Sequence, residues 1–136
     1  MRVLQTTKFT HVATGSRGDV VMSFDPESPL VVNFDFDVEG VAAKWMFSRD
    51  LVAEGCYSPN GVGDGDCRFW ADNDGTTDML TVLISSPEGE AVLDVPRQSV
   101  LFFLETCDAQ VRRGSKAEDM ALAEQVELLL GALFCG

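Results

Sequence analysis

Apolar and polar residues alternate along the first half of the chain. From Val3 to Ala13 one parity carries Val3, Thr7, Phe9, His11 and Ala13, and the other carries Leu4 and Val12, which predicts a strand. The turn formers Gly15-Ser16-Arg17-Gly18-Asp19 precede the apolar run Val20 to Phe24, so the two segments read as a hairpin. Two prolines in Asp25-Pro26-Glu27-Ser28-Pro29 then break the chain, because proline lacks an N–H donor and restricts the residue before it. From Leu30 to Asp37, Val32, Phe34 and Phe36 alternate with Val31, Asn33, Asp35 and Asp37, the pattern of a sheet with one buried and one wet face. After Glu39-Gly40, Val41, Ala43, Trp45 and Phe47 share one face of a further strand and Lys44 takes the other. Cys67 to Ala71 and Met79 to Ser85 predict a strand pair, and Pro87-Glu88-Gly89 turns the chain into a last strand, Glu90 to Val95.

Helical spacing appears in three places. Ser48 can cap a short helix running through Glu54, with Gly55 as a left-handed stop. Pro96 suits a helix's first position, and Val100, Phe103, Leu104 and Cys107 fall on one face at i, i+3, i+4 and i+7. Leu101 and Phe102 lie on another face, either sandwiched in the core or forming an oligomer interface. Ser115-x-x-Glu118 is a capping box opening a final helix with the stripe Leu122, Val126, Leu129 and Leu133. Strands followed by helices in this order predict an α+β fold, an antiparallel sheet packed with C-terminal helices.

Composition adds that this is one folded unit. A chain of about 150 residues buries roughly 68–70% of its unfolded surface, and no stretch of these 136 residues is depleted enough in apolar residues to stay disordered. The expected organisation is a single domain, 1–136. The net charge of −12, from 22 acidic and 10 basic residues, repels a phosphate backbone, so nucleic acid is not an expected partner. The basic spot Arg112-Arg113 with Lys116 reads as a solvated loop between helices. The N-terminus turns polar at Gln5 and lacks a secretory pattern, and the run Leu128 to Cys135 falls far short of the ~20 residues that span a bilayer. A cytoplasmic location is the expectation, with Cys56, Cys67, Cys107 and Cys135 as small apolar thiols in a reducing compartment.

Candidate chemistry is weak throughout. Asp72-Asn73-Asp74-Gly75-Thr76-Thr77-Asp78 has a calcium loop's composition, but placing Gly75 at the loop's sixth position puts Trp70 where the first aspartate belongs and Thr81 where the bidentate glutamate belongs. A hairpin turn is the better reading. Gly61-x-Gly63-x-Gly65 follows a helix and sits beside Asp64 and Asp66, unlike loops that cradle phosphate. No C-x-x-C pair and a single histidine, His11, argue against a zinc site and against a Ser/His or Cys/His nucleophile. The chain is not expected to be an enzyme or to carry a metal or cofactor.

Several blocks together resemble one family. The stretch Trp45-Met46-Phe47-Ser48-Arg49-Asp50-Leu51-Val52-Ala53-Glu54-Gly55 is similar to the W-x-F-x-R-D-L-x-x-E-G block of the SsgA-like sporulation and cell-division proteins of actinobacteria. Pro59-Asn60-Gly61-Val62-Gly63-Asp64, Arg68-Phe69-Trp70 and Ser85-Ser86-Pro87-Glu88-Gly89-Glu90-Ala91 continue the resemblance in the family's order. It extends more loosely through Pro96, Phe103-Leu104 and Thr106, covering about the last two-thirds of the chain. Ala71 departs from a proline common after the tryptophan, and Gly63 to Asp66 lengthen the glycine loop.

The resemblance implies a Whirly-like fold, a homotrimer, and a regulator of septum placement or septal wall growth. Its implied partners are division proteins such as the tubulin-like FtsZ or an SsgA-like paralogue, met at the septum. Fold kinship does not transfer single-strand binding, yet a Whirly-like nucleic-acid module stands as the alternative function. The residues the resemblance offers for partner contact are Trp45, Phe47, Arg49, Asp50, Leu51, Glu54, Gly55, Trp70, Ser86, Pro87, Glu88, Gly89 and Glu90. From the residues alone, Trp45 and Phe47 read as core and Gly55 and Gly89 as backbone necessities. Arg49, Asp50 and Glu54 read either as a contact surface or as local structural pairing.

Overall fold

The structure, a computed structural model, describes residues 2–38, 40–63, 65–87, 89–116 and 118, with the backbone alone at 38 and 41. The elements run β1 (Val3–His11), β2 (Arg17–Phe24), β3 (Val31–Val38), β4 (Val41–Ser48), α1 (Arg49–Gly55), β5 (Cys67–Asn73), β6 (Asp78–Ser86), β7 (Gly89–Pro96) and α2 (Arg97–Gln110). The strands form one antiparallel sheet in the order β4-β3-β2-β1-β7-β6-β5. It consists of two meanders, β1 to β4 and β5 to β7, joined where Thr10 and His11 pair with Asp94 and Leu93.

Register places the alternating apolar residues predicted for β3 and β4 on one face with one parity of the other strands. Val3, Met22, Phe34 and Phe47 from the first meander, and Phe69, Val82 and Val95 from the second, are all buried. In a flat sheet the edge strands β4 and β5 would lie nearly 30 Å apart, at about 4.8 Å per spacing. Instead the rings of Phe47 and Phe69 meet edge to face at 5.0 Å, so the sheet curls until its apolar face encloses the core. Phe34 touches both Phe47 (5.2 Å) and Phe103 of α2 (6.4 Å), which ties the helix to the centre of that core.

Helix α2 covers one end of the curl. Its stripe Val100, Phe103, Leu104 and Cys107 is buried, as its spacing predicts. At the splay between β1 and β7, Gln5 Nε2 donates to the Ser99 carbonyl (2.7 Å) and Thr7 Oγ1 to Ser99 Oγ (3.1 Å). Pro96 is the residue before the helix rather than its first residue; its ψ of 121° is extended and it ends β7. No helix among the described residues is long and apolar enough to cross a membrane.

Three details differ from the expectations. Gly55 is not a left-handed stop: it is absent from the positive-φ glycines, and Cys56 follows it in right-handed helical geometry. A glycine is needed there because a Cβ would lie 2.5 Å from the Cβ of Phe69. The thiols also differ, since Cys56 and Cys107 are buried and free but Cys67 is disulfide-bonded. Burial pushes the thiol of Cys56 up to about 11 and that of Cys107 up to about 12, which keeps both protonated at neutral pH. In the third helix's box, Glu118 N donates to Ser115 Oγ (3.2 Å), but the Glu118 carboxylate accepts from Gly114 N (2.9 Å), not Ser115 N. The stripe from Leu122 to Leu133 lies outside the described residues.

Candidate interaction cleft

At the end of the curl opposite α2 the apolar face is left open among the described residues. Strand β4 contributes Ala43 and Trp45 to this opening, and the neighbouring β3 contributes Phe36. Across from them β6 and β7 supply Ile84, Ala91 and Leu93, and His11 of β1, whose Nδ1 lies 2.9 Å from Thr14 Oγ1, completes the lining. Together they line a cleft of about 370 Å³ whose rim holds Ser86, Gly89 and Glu90. Register explains the meeting: Ala43 pairs with Phe36, Ile84 with Ala91 and His11 with Leu93, so the curl points all six side chains inward.

The cleft brings two distant blocks of the family-like sequence together. Trp45 is half-buried, not core as its parity suggests, because it sits on the edge strand at the mouth with only one packed side. Its ring stacks on Phe47 at 6.3 Å and 17°, which fixes its orientation. The β6–β7 turn is held by Ser86 Oγ donating to the Gly89 carbonyl (3.3 Å) and Ser85 Oγ donating to Glu90 Oε2 (3.0 Å). Gly89 has φ +139°, a conformation that side chains disfavour, so its glycine is a backbone requirement of the turn. Pro87 is exposed beside it, and Glu88 lies outside the described residues.

The other residues offered for partner contact are dispersed. Phe47 and Gly55 are buried, and Leu51 packs against the core. Asp50 and Glu54 are exposed on α1, at the far end of β4 from Ala43. Trp70 is half-buried on the outer face of β5. On α2, Phe102 is 63% exposed, whereas Leu101 packs partly against the core and borders a cavity between α1 and α2.

Arg49 cannot reach a partner in this conformation, since it is 1% exposed. Ser48 caps α1 by accepting from Leu51 N (3.4 Å), and the chain then turns Arg49 inward. There Nη1 donates to the carbonyl of Val111 (2.8 Å), the residue that closes α2, and Nη2 to Glu118 Oε2 (2.6 Å). Asp108 lies 3.7 Å from Nη1, and the guanidinium stacks over Phe24 at 4.9 Å. The cation thus neutralises the negative end of α2 and joins it to α1 and the start of the last segment.

The turn with calcium-loop composition is satisfied internally. Asp74 Oδ1 accepts from the amides and hydroxyls of Thr76 and Thr77, and Gly75 N donates to Asn73 Oδ1. The Thr76 hydroxyl, then the Thr77 and Thr76 amides, hold this carboxyl below the ordinary range.

None of His11, Phe36, Ala43, Ile84, Ala91 and Leu93 stands out in the sequence as a site residue. Only the strand order could have collected them, because they come from five strands.

Known proteins resemble this chain along most of its length. The family model described as Streptomyces sporulation and cell division protein, SsgA, matches residues 19–116. Sporulation-specific cell division protein SsgB of Salinispora tropica is 35% identical over 112 residues, 80% of this chain and 77% of the relative. SsgB of Streptomyces coelicolor is 32% identical over 110 residues, 80% of this chain and 79% of the relative. A structure solved in work on SsgB mutations that correlate with longitudinal cell division during sporulation of Streptomyces coelicolor superposes with a TM-score of 0.82 at 28% identity. It covers 89% of this chain and 95% of that one. An SsgA-like sporulation-specific cell division protein from Thermobifida fusca shares the fold at 20% identity with a TM-score of 0.79, covering 97% and 96% of the two chains.

Proposed function

Because the chain belongs to the SsgA family of sporulation and cell division proteins, we propose that it regulates sporulation-specific cell division through protein contacts at the septum. Residues 1–136 act as one SsgA-like domain, of SsgB-like type, in the cytoplasm. The domain binds division proteins such as FtsZ or an SsgA-like paralogue and has no catalytic role. The observation that supports contact as its mode of action is the cleft, where Trp45 and the Ser86 to Glu90 turn converge around an open apolar surface.

Deleting the gene in the native host and staining membranes and walls tests this reading. Missing or misplaced sporulation septa are expected; unchanged septation would refute it. The alternative, a Whirly-like module for single-stranded nucleic acid, would show as salt-sensitive oligonucleotide binding, which the charge of −12 opposes.

The domain assembles as a trimer in this reading, with the exposed Phe102 and its neighbour Leu101 on the contact surface. Light scattering should return three times the 14.8 kDa chain mass. A monomer mass at working concentration would remove the trimer, and Phe102→Ser should shift the trimer toward it if α2 forms the contact.

A further inference from the structure

We propose that the open cleft binds an extended peptide segment of a partner protein, one with aliphatic side chains at alternate positions and a flank of lysine or arginine. This rests on the reading of the chain as a contact protein and names the chemistry its contact surface takes.

Size, edge and charge point to such a segment. A volume of about 370 Å³ lies toward the small end of ligand pockets, roughly 300–1,000 Å³, which suits a few side chains rather than a domain. The walls that would hold them, Phe36, Trp45, Ile84 and Leu93, are aromatic or aliphatic. Ala43 and Trp45 sit on β4, which among the described residues pairs only with β3 and so presents one backbone edge. An incoming strand can pair with that edge and drop alternate side chains into the cleft, with a period of two. Among the described residues Glu90 is the one acidic side chain on the rim and no lysine or arginine lines the cleft, and the chain carries a charge of −12. A basic flank is therefore attracted, while an acidic peptide or a fatty acid carboxylate is repelled.

The test uses the full chain and three synthetic nonapeptides. The first has alternating leucines and two C-terminal arginines; the second replaces the arginines by glutamates, and the third replaces the leucines by serines. Binding is read from Trp45 fluorescence in a Trp70→Phe background and from amide NMR shifts. The first peptide should bind at least about tenfold more tightly than either of the others, should weaken as salt is raised, and should shift Ala43, Gly89 and Ala91. Ala43→Arg, at an exposed position of the cleft, should abolish binding while circular dichroism stays unchanged, and Glu90→Gln should shrink the preference for the basic peptide.

Failure to bind any peptide, equal binding of the basic and acidic ones, binding retained by Ala43→Arg, shifts centred on Tyr57 and Phe102, or tighter binding of decanoate would each overturn the proposal. Failure of the broader reading looks different. Normal septation in the deletion strain refutes the division role whatever the peptides do, whereas a deletion defect fully rescued by Ala43→Arg keeps that role and removes the cleft from it.

Discussion

Arg49→Ala is expected to destabilise the protein by about 3–5 kcal/mol, the usual cost of removing one partner from a buried ion cluster. The side chain is 1% exposed and faces the Val111 carbonyl, Asp108 and Glu118. Truncation leaves the mostly buried Glu118 carboxylate and a helix-end carbonyl without their shared cation, while Asp108, 31% exposed, keeps Arg113 at 3.5 Å. It also removes the guanidinium from the Phe24 ring. Against a typical domain stability of about 5–15 kcal/mol, this loss is a large fraction of what holds the chain folded.

Arg49→Lys should recover less than half of it. One ammonium on a flexible stem cannot reproduce the planar fork that spans Val111 and Glu118. Glu118→Gln should cost much less than Arg49→Ala, because the Val111 and Asp108 interactions persist. Urea denaturation followed by far-ultraviolet circular dichroism measures all three; an Arg49→Ala midpoint equal to wild type would show that the cluster contributes nothing. With the midpoint lowered as expected, loss of septation in Arg49→Ala reports instability, not a lost partner contact.

The second large effect is expected at Gly55. Gly55→Ala should destabilise by about 2–3 kcal/mol, at the upper part of the range for overpacking, even though alanine favours helix by about 1 kcal/mol. The new Cβ would meet the Phe69 Cβ at 2.5 Å and the Phe69 carbonyl carbon at 3.3 Å. Phe69 has little room to retreat, being fully buried and held edge to face by Phe47. Gly55→Asn separates this cause from a left-handed stop, since asparagine tolerates left-handed backbone better than alanine does. Close approach predicts that asparagine is worse than alanine; a milder effect for asparagine in the same denaturation experiment would restore the left-handed explanation.

Both positions show how a residue's presence can be legible while its reason is not. The block from Trp45 to Gly55 is visible as a unit, and Ser48 as a helix cap follows from local chemistry. That Arg49 turns inward depends on where α2 ends, and Val111 and Glu118 lie 62 and 69 residues further along the chain. Gly55 is glycine because β5 passes close to α1, a contact between elements separated by the long glycine loop. Trp45 was expected in the core because it shares a face with Phe47; its place on the edge strand, at the open end of the curl, leaves it half-exposed. The cleft was not legible at all, since its walls are ordinary strand residues until the two meanders face each other.

The sequence by itself determined the seven strands, the two described helices, the facing of β3 and β4 and the buried stripe of α2, because alternation and helical spacing are local properties that burial enforces residue by residue. It also determined the acidic surface and, through the joint order of its motif blocks, the family. Only the tertiary structure decided that β1 pairs with β7, that the sheet curls until Phe47 meets Phe69, and that one end stays open between Trp45 and the Ser86 to Glu90 turn. Those outcomes depend on strand order and twist, which arise from long-range packing and leave no periodic trace along the chain.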